Sequence, residues 1–110
     1  MYILGIAGSP RRGGNTEILL DEALAGARKK GAETEKIVLS ALEFKPCLGC
    51  GACEIKGQCI QKDDMQDVYD KIGAADIIIV ASPIYFYSVS AWAKMAIDRS
   101  QALWARKYML

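Results

Sequence analysis

Three short apolar runs separated by segments of helical period constrain this chain more than any other feature. Tyr2 to Ala7 (YILGIA), Glu35 to Leu39 (EKIVL) and Asp76 to Ala81 (DIIIVA) each read as a buried strand. Between the first two, Leu20, Leu24 and Ala27 recur at helical spacing, with Asn15 or Thr16 placed to cap the helix and Gly31 to end it. Between the second and third, Met65, Val68, Tyr69 and Ile72 form another stripe, capped by Asp63 or Asp64 and closed by Gly73. A last helix starts near Ser88 or Ser90 and sets Trp92, Met95, Arg99 and Leu103 along one side. Alternation of this kind predicts an α/β fold, a doubly wound parallel sheet with helices on both faces. Right-handed crossovers give strand order 2-1-3. The near-continuous apolar third strand predicts cover on both of its faces. Ligands of such sheets bind at the carboxyl ends of the strands where the winding reverses, here between the loops Gly8 to Asn15 and Ser82 to Val89.

The stretch from Ala41 to Lys62 has no clear period and contains all four cysteines, Cys47, Cys50, Cys53 and Cys59. A structureless loop of that length is uncommon in a compact domain, and a bound group would explain its order. The spacing C-x2-C-x2-C followed by a fourth cysteine suits an iron–sulfur cluster, which needs thiolates converging on several irons. A structural zinc site normally uses two C-x2-C pairs set a dozen or more residues apart, and that separation is missing. Gly49, Gly51 and Gly57 let the backbone curl closely around such a group. Zinc, a redox C-x-x-C pair and free thiols stay open as alternatives. No apolar leader is present at the start, so the reading places the chain in a reducing cytoplasm, where disulfides are disfavoured.

Composition narrows the chemistry further. The 110 residues allow one domain, and a net charge of +1 gives no support for binding nucleic acid or a membrane surface. No apolar run is long enough to span a bilayer. There is no histidine, which excludes Ser-His-Asp and Cys-His catalysis and histidine-ligated zinc or haem. The segment GSPRRGGNT follows a strand and opens a helix, so its amides and the helix dipole make an anion site, with Ser9, Arg11, Asn15 and Thr16 as further donors. It is neither a Walker A loop nor G-x-G-x-x-G, and it fits one phosphomonoester better than a dinucleotide. The alternative is a polar turn with solvated arginines. In the second loop, Pro83, Ile84, Tyr85, Phe86 and Tyr87 offer apolar surface for a flat heteroaromatic ring, or else cover the core or a subunit contact.

GSPRRGGNT, the close cysteine run, Lys62-Asp63-Asp64-Met65 and SPIYFYSVSA together resemble the iron–sulfur flavoproteins of the NADPH-dependent FMN reductase superfamily. The resemblance covers nearly the whole chain. It implies a flavodoxin-like fold, FMN and a [4Fe–4S] cluster. At matching positions Ser9, Arg11, Asn15 and Thr16 would hold the FMN phosphate. Pro83, Ile84, Tyr85 and Phe86 would line the isoalloxazine ring, and Cys47, Cys50, Cys53 and Cys59 would ligate the cluster. Residues 1–110 then form one FMN-binding domain with its cysteine-rich loop at 41–62. The resemblance also implies dimers or tetramers.

Flavodoxin-like folds have five strands, and this chain supplies three. It therefore reads as a fragment, a truncated relative or part of something longer, with Leu103, Trp104, Tyr108 and Met109 normally followed by more protein. Either a partner chain covers the open third-strand edge or the fold is incomplete. The expected activity is electron transfer as a flavin-dependent oxidoreductase, exchanging electrons with NAD(P)H or a carrier such as ferredoxin. The alternatives are an NAD(P)H-dependent FMN or quinone reductase with structural cysteines, and a metal-binding module without redox activity.

Overall fold

β1 (Tyr2–Ala7) carries no charged residue and occupies the centre of a three-stranded parallel sheet in the order β2-β1-β3. This is a computed structural model, and it describes residues 1–107. Tyr108 and Met109 lie outside the described residues. β2 (Glu33–Val38) pairs with β1 from Tyr2↔Glu33 to Ala7↔Val38, and β3 (Ile77–Ala81) pairs from Ile3↔Ile77 to Ala7↔Ala81. The order is the one the alternation predicts. β2 starts two residues earlier than its apolar run and ends at Val38, because Leu39, fully buried, opens a 3-10 turn over Leu39–Ala41.

Helices cover both faces. On one, α1 (Asn15–Lys29) buries Leu20 and Leu24 against Ile3 and Ala7. The helix comes this close because position 5 has no side chain: a Cβ on Gly5 would lie 2.9 Å from Leu24 Cδ1 and 3.0 Å from Leu20 Cδ1. Gly31 ends α1 with φ 92°, its N–H donating to the Arg28 carbonyl while Ala32 N–H reaches the Ala27 carbonyl. These two bonds are the Schellman pattern that satisfies the last carbonyls of a helix. On the opposite face, α3 (Met65–Ala74) packs Met65, Val68 and Tyr69 with Leu4, Ile6, Ile37 and Leu39. Within the loop before it lies a single helical turn, α2 (Ala52–Lys56).

α4 (Ala91–Arg99) and α5 (Gln101–Lys107) divide what the sequence reads as one helix. The break falls at Ser100, whose hydroxyl donates back to the Ala96 carbonyl at 2.8 Å. Trp92 leans on Phe44 with ring centroids 5.8 Å apart. Among the described residues no helix is long and apolar enough to cross a membrane.

β3 is the open edge expected of a three-stranded sheet, and it lacks the cover on both faces that its apolar run predicts. Ile77, Ile78 and Val80 are 42%, 42% and 51% exposed, so the strand forms an uncovered edge. An apolar run reports composition suited to a covered strand, and it carries no information on which neighbours are present.

Ser90 fastens the top of the sheet. Its Oγ accepts from Ala93 N–H at 3.1 Å as the cap of α4 and donates to the Gly8 carbonyl at 2.5 Å. Its own N–H donates to Ser82 Oγ at 2.9 Å. Ser90→Ala removes the cap and leaves a buried carbonyl unmet, which should cost about 1–3 kcal/mol. In urea denaturation the midpoint should fall with the m-value unchanged.

Candidate functional site

The two loops flagged by the topology leave the sheet side by side. Gly8 N–H donates to the Ala81 carbonyl at 2.7 Å, and Ser90 binds both loops as described. A side chain at position 8 would meet the Ala81 carbonyl and Ala93 Cβ, each at 3.1 Å, so glycine keeps the loops in contact.

In the first loop Ser9 is buried, and its Oγ accepts from Arg11 N–H at 3.1 Å, folding the chain back on itself. Arg11 and Asn15 are exposed and Thr16 half-buried. Neither Asn15 nor Thr16 caps α1. Asn15 is already the first helical residue, the N-cap is Gly14, and no side chain bonds to the end of the helix. The free first-turn amides keep their capacity for an anion. Glu17, which the sequence reading passed over, organises this loop instead. Its buried carboxylate accepts from Gly13 N–H at 2.8 Å, from Lys36 Nζ at 2.8 Å and from the Arg12 guanidinium. A glutamate at the third position of a helix was the available signal. Led by Lys36, these donors hold its pKa down at about 2.

In the second loop Tyr85 and Ser88 exchange both backbone hydrogen bonds, at 2.9 and 3.1 Å, across Phe86 and Tyr87. Both central residues have positive φ, 46° and 69°. That is the type I′ arrangement, which favours Asn-Gly. Two bulky aromatics there carry strain, and they stand 94% and 93% exposed at the tip. Ile84 is also exposed, Tyr85 about half so, and Pro83 half-buried. From the first set Thr16 shares a cleft with the root of this loop, a space of about 580 Å³ that it lines with Leu19, Leu20, Ile79, Val80 and Ser82.

The cysteines gather at the far end of α4. Cys47, Cys50, Cys53 and Cys59 line one cavity of about 210 Å³ together with Gln61, Arg99 and Ala102. α2 shapes it, bounded by Gly51 and Gly57 in the left-handed region at φ 74° and 70°. This turn escaped the sequence reading, although the two glycines that bracket it were visible. Cys53 and Cys59 are half-buried against the core, and Cys47 and Cys50 are exposed. Burial raises the Cys53 pKa. Gly49 N–H points at Cys47 Sγ at 3.4 Å. Among the described residues no three His, Cys, Asp or Glu converge as they would on one metal ion.

Arg99 closes the floor of this cavity, and the sequence reading had counted it only as one member of a helix face. Its side chain is 1% exposed and forks onto Asp63, Nη1 to Oδ2 at 2.8 Å and Nη2 to Oδ1 at 2.9 Å. Nη1 also reaches the Lys45 carbonyl at 2.8 Å, and Tyr69 Oη donates to the Arg99 carbonyl at 2.7 Å. Burial works against the guanidinium charge, yet Asp63, Tyr69 and Cys59 hold its pKa above the ordinary value. Burial likewise resists ionisation of Asp63, and Arg99 overrides it to lower that pKa. Among the described residues, its Nε is buried without a hydrogen-bond partner. Leaving such a donor unmet costs about 1–3 kcal/mol, more for a charged group.

The chain matches the family described as NADPH-dependent FMN reductase over residues 1–110, and it belongs to that family. An iron-sulfur flavoprotein of Methanocaldococcus jannaschii is 47% identical over 103 residues, covering 94% of this chain and 53% of that protein. One from Methanosarcina thermophila is 43% identical over 110 residues, covering 100% of this chain and 58% of its own length. Among solved structures, a flavone reductase superposes with a TM-score of 0.72 at 31% identity, over 91% of this chain and 30% of that one. The fold is flavodoxin-like, and the chain spans little more than half the length of these two flavoproteins.

Two measurements test the loops. Tyr87→Gly should relieve the left-handed strain and raise stability by about 0.5–1 kcal/mol, read as a higher melting temperature. Glu17 is depressed from an unfolded value near 4.3 to about 2. Its contribution is therefore present above about pH 4.3 and lost as pH falls through about 2. Glu17→Gln should flatten the acid limb of the stability profile within that window.

Proposed function

We propose that this chain is the FMN-binding, cluster-bearing part of a flavin-dependent oxidoreductase that transfers electrons. The observation that carries the reading is the cysteine cavity: four thiols from one short segment around one space, with Arg99 among its lining residues. Those residues fit a polynuclear iron–sulfur group, whose sulfurs accept N–H bonds and whose thiolates stand further apart than around one ion. Cys47, Cys50, Cys53 and Cys59 would ligate a [4Fe–4S] cluster. Retention in a reducing cytoplasm suits four free thiols.

FMN would lie across the paired loops. Ser9, Arg11, Asn15, Thr16 and the uncapped amides of α1 would bind its phosphate, supported by the lack of any side-chain cap there. Pro83, Ile84, Tyr85 and Phe86 would face the isoalloxazine ring. Flavin exchanges electrons in pairs or singly and the cluster singly, so together they link hydride donors to one-electron carriers. NAD(P)H or a carrier of the ferredoxin class is the partner this chemistry requires. The residues themselves bind and orient, and no acid or base is needed. The open apolar edge of β3 supports a homo-oligomer.

The family description and the flavone reductase likeness favour a second reading, an NAD(P)H-dependent flavin or quinone reductase in which the cysteines are structural. Visible spectra of anaerobically purified protein, before and after dithionite, separate the two. Broad brown absorption beneath structured flavin bands, both bleaching, is expected; flavin bands alone select the simple reductase. Cys50→Ser should abolish the broad absorption and spare FMN, and loss of FMN with unchanged iron would refute this division.

A further inference from the structure

A glutamate at the third position of a helix ordinarily closes a capping box by accepting the N–H of the N-cap residue. Glu17 holds that position in α1, whose N-cap is Gly14, yet its Oε1 accepts the N–H of Gly13 at 2.8 Å, one residue earlier. Among the described residues the Gly14 N–H has no acceptor. The carboxylate is fixed from two further sides, by Lys36 Nζ of β2 at 2.8 Å and by the Arg12 guanidinium, and its side chain is 7% exposed. Arg12 is thereby drawn back onto the helix. The guanidinium of its neighbour, Arg11, has no hydrogen bond or ion pair among the described residues. The Arg11 stem lies over Gly14, where a Cβ would come 3.3 Å from Arg11 Cδ. One displaced bond thus parts the loop into a committed half, Arg12 and Gly13, and an open half, Arg11, Gly14 and the first-turn amides.

We infer that Glu17 is a positioning residue for the flavin phosphate: by holding Gly13 and Arg12 it leaves the Gly14 N–H, the first-turn amides and Arg11 to a single anion. The inference rests on the FMN reading above. Glu17 does not touch the phosphate, and a bare negative charge beside it opposes binding. The two effects have opposite signs. Removing a bystander carboxylate tightens FMN binding, and removing a positioning one weakens it. Riboflavin lacks the phosphate, so it controls for contacts to the ring and for a general loss of structure.

The test is a fluorescence titration of the full chain with FMN and with riboflavin. Glu17→Ala, folded by circular dichroism, should bind FMN about tenfold more weakly, as for the loss of one hydrogen bond to a charged group, and riboflavin within about twofold of wild type. Glu17→Gln keeps an acceptor for Gly13 and should lose less than the alanine variant. Unchanged or tighter FMN binding by Glu17→Ala overturns the inference, as does an equal loss for both ligands. If Glu17→Ala does not fold, the amide proton shifts of the wild-type protein titrated with inorganic phosphate decide. The Gly14, Asn15 and Thr16 protons should move downfield, while that of Gly13, already bonded to a carboxylate, stays. A Gly13 proton that moves most overturns the inference. Wild-type chain that binds FMN no more tightly than riboflavin, with no amide shift in phosphate, defeats the phosphate-loop reading itself, a failure seen before any variant is made.

Discussion

A buried guanidinium must be paired, and pairing Arg99 fixes much of this molecule. Its partner, Asp63, stands just before α3, and its carbonyl acceptor, Lys45, just before the cysteine run. The segment 41–62 has one helical turn and little core of its own. It is held instead by bonds that reach out of it. Arg99 reaches in from α4, Arg106 Nε donates to the Gly57 carbonyl from α5, and Glu43 N–H donates to Asp64 Oδ2 just beyond the segment. Removing one member of a buried pair strands the other charge, which is far more destabilising than an exposed ion pair is stabilising. The order of the cysteine loop thus depends on a buried charge and its carboxylate partner.

α4 turns that local constraint into an arrangement of the whole site. Ser90, at its start, joins the loops that follow β1 and β3; Arg99, at its end, joins the cysteine loop to α3. Nine residues at 1.5 Å rise make about 13 Å of helix between them. One rigid element therefore sets the separation between the candidate flavin loops and the candidate cluster cavity. The small residues that it buries, Ala93 and Ala96, let it lie close to the sheet. A change at either end of α4 is transmitted as a shift of a whole helix, because packed interiors do not deform smoothly.

Much of this was legible in the chain. Strand number and order follow from the alternation of apolar runs with helical stripes, since each period matches one kind of backbone. The cysteine run and the two loops were found because their residue types are costly or unusual where they stand. The unread parts share one cause: they depend on partners remote in sequence. Glu17 looks like any first-turn glutamate until Lys36 of β2 comes beside it. Arg99 looks like the polar end of a helix until Asp63, thirty-six positions away, draws it inward. The break at Ser100 rests on a hydroxyl choosing its own backbone over water, which no period reveals. The open face of β3 is the reverse case, where a strong local signal for burial meets no covering element among the described residues.

These differences leave the two candidate sites unequal. The cysteine cavity is walled by the cysteine loop itself with α2, α4 and α5. The candidate flavin loops adjoin the uncovered edge, where Leu19 and Val80 stand largely exposed on an apolar cleft and the Phe86–Tyr87 tip is exposed as well. Strained left-handed aromatics persist only when something beyond the turn itself favours them. An apolar parallel edge likewise persists in solution only when covered. Both conditions fall on the same side of the sheet. Contacts made by this chain's own elements enclose the cysteine cavity. The proposed flavin loops and the exposed strand β3 thus share one side of the sheet, and a group covering one lies beside the other.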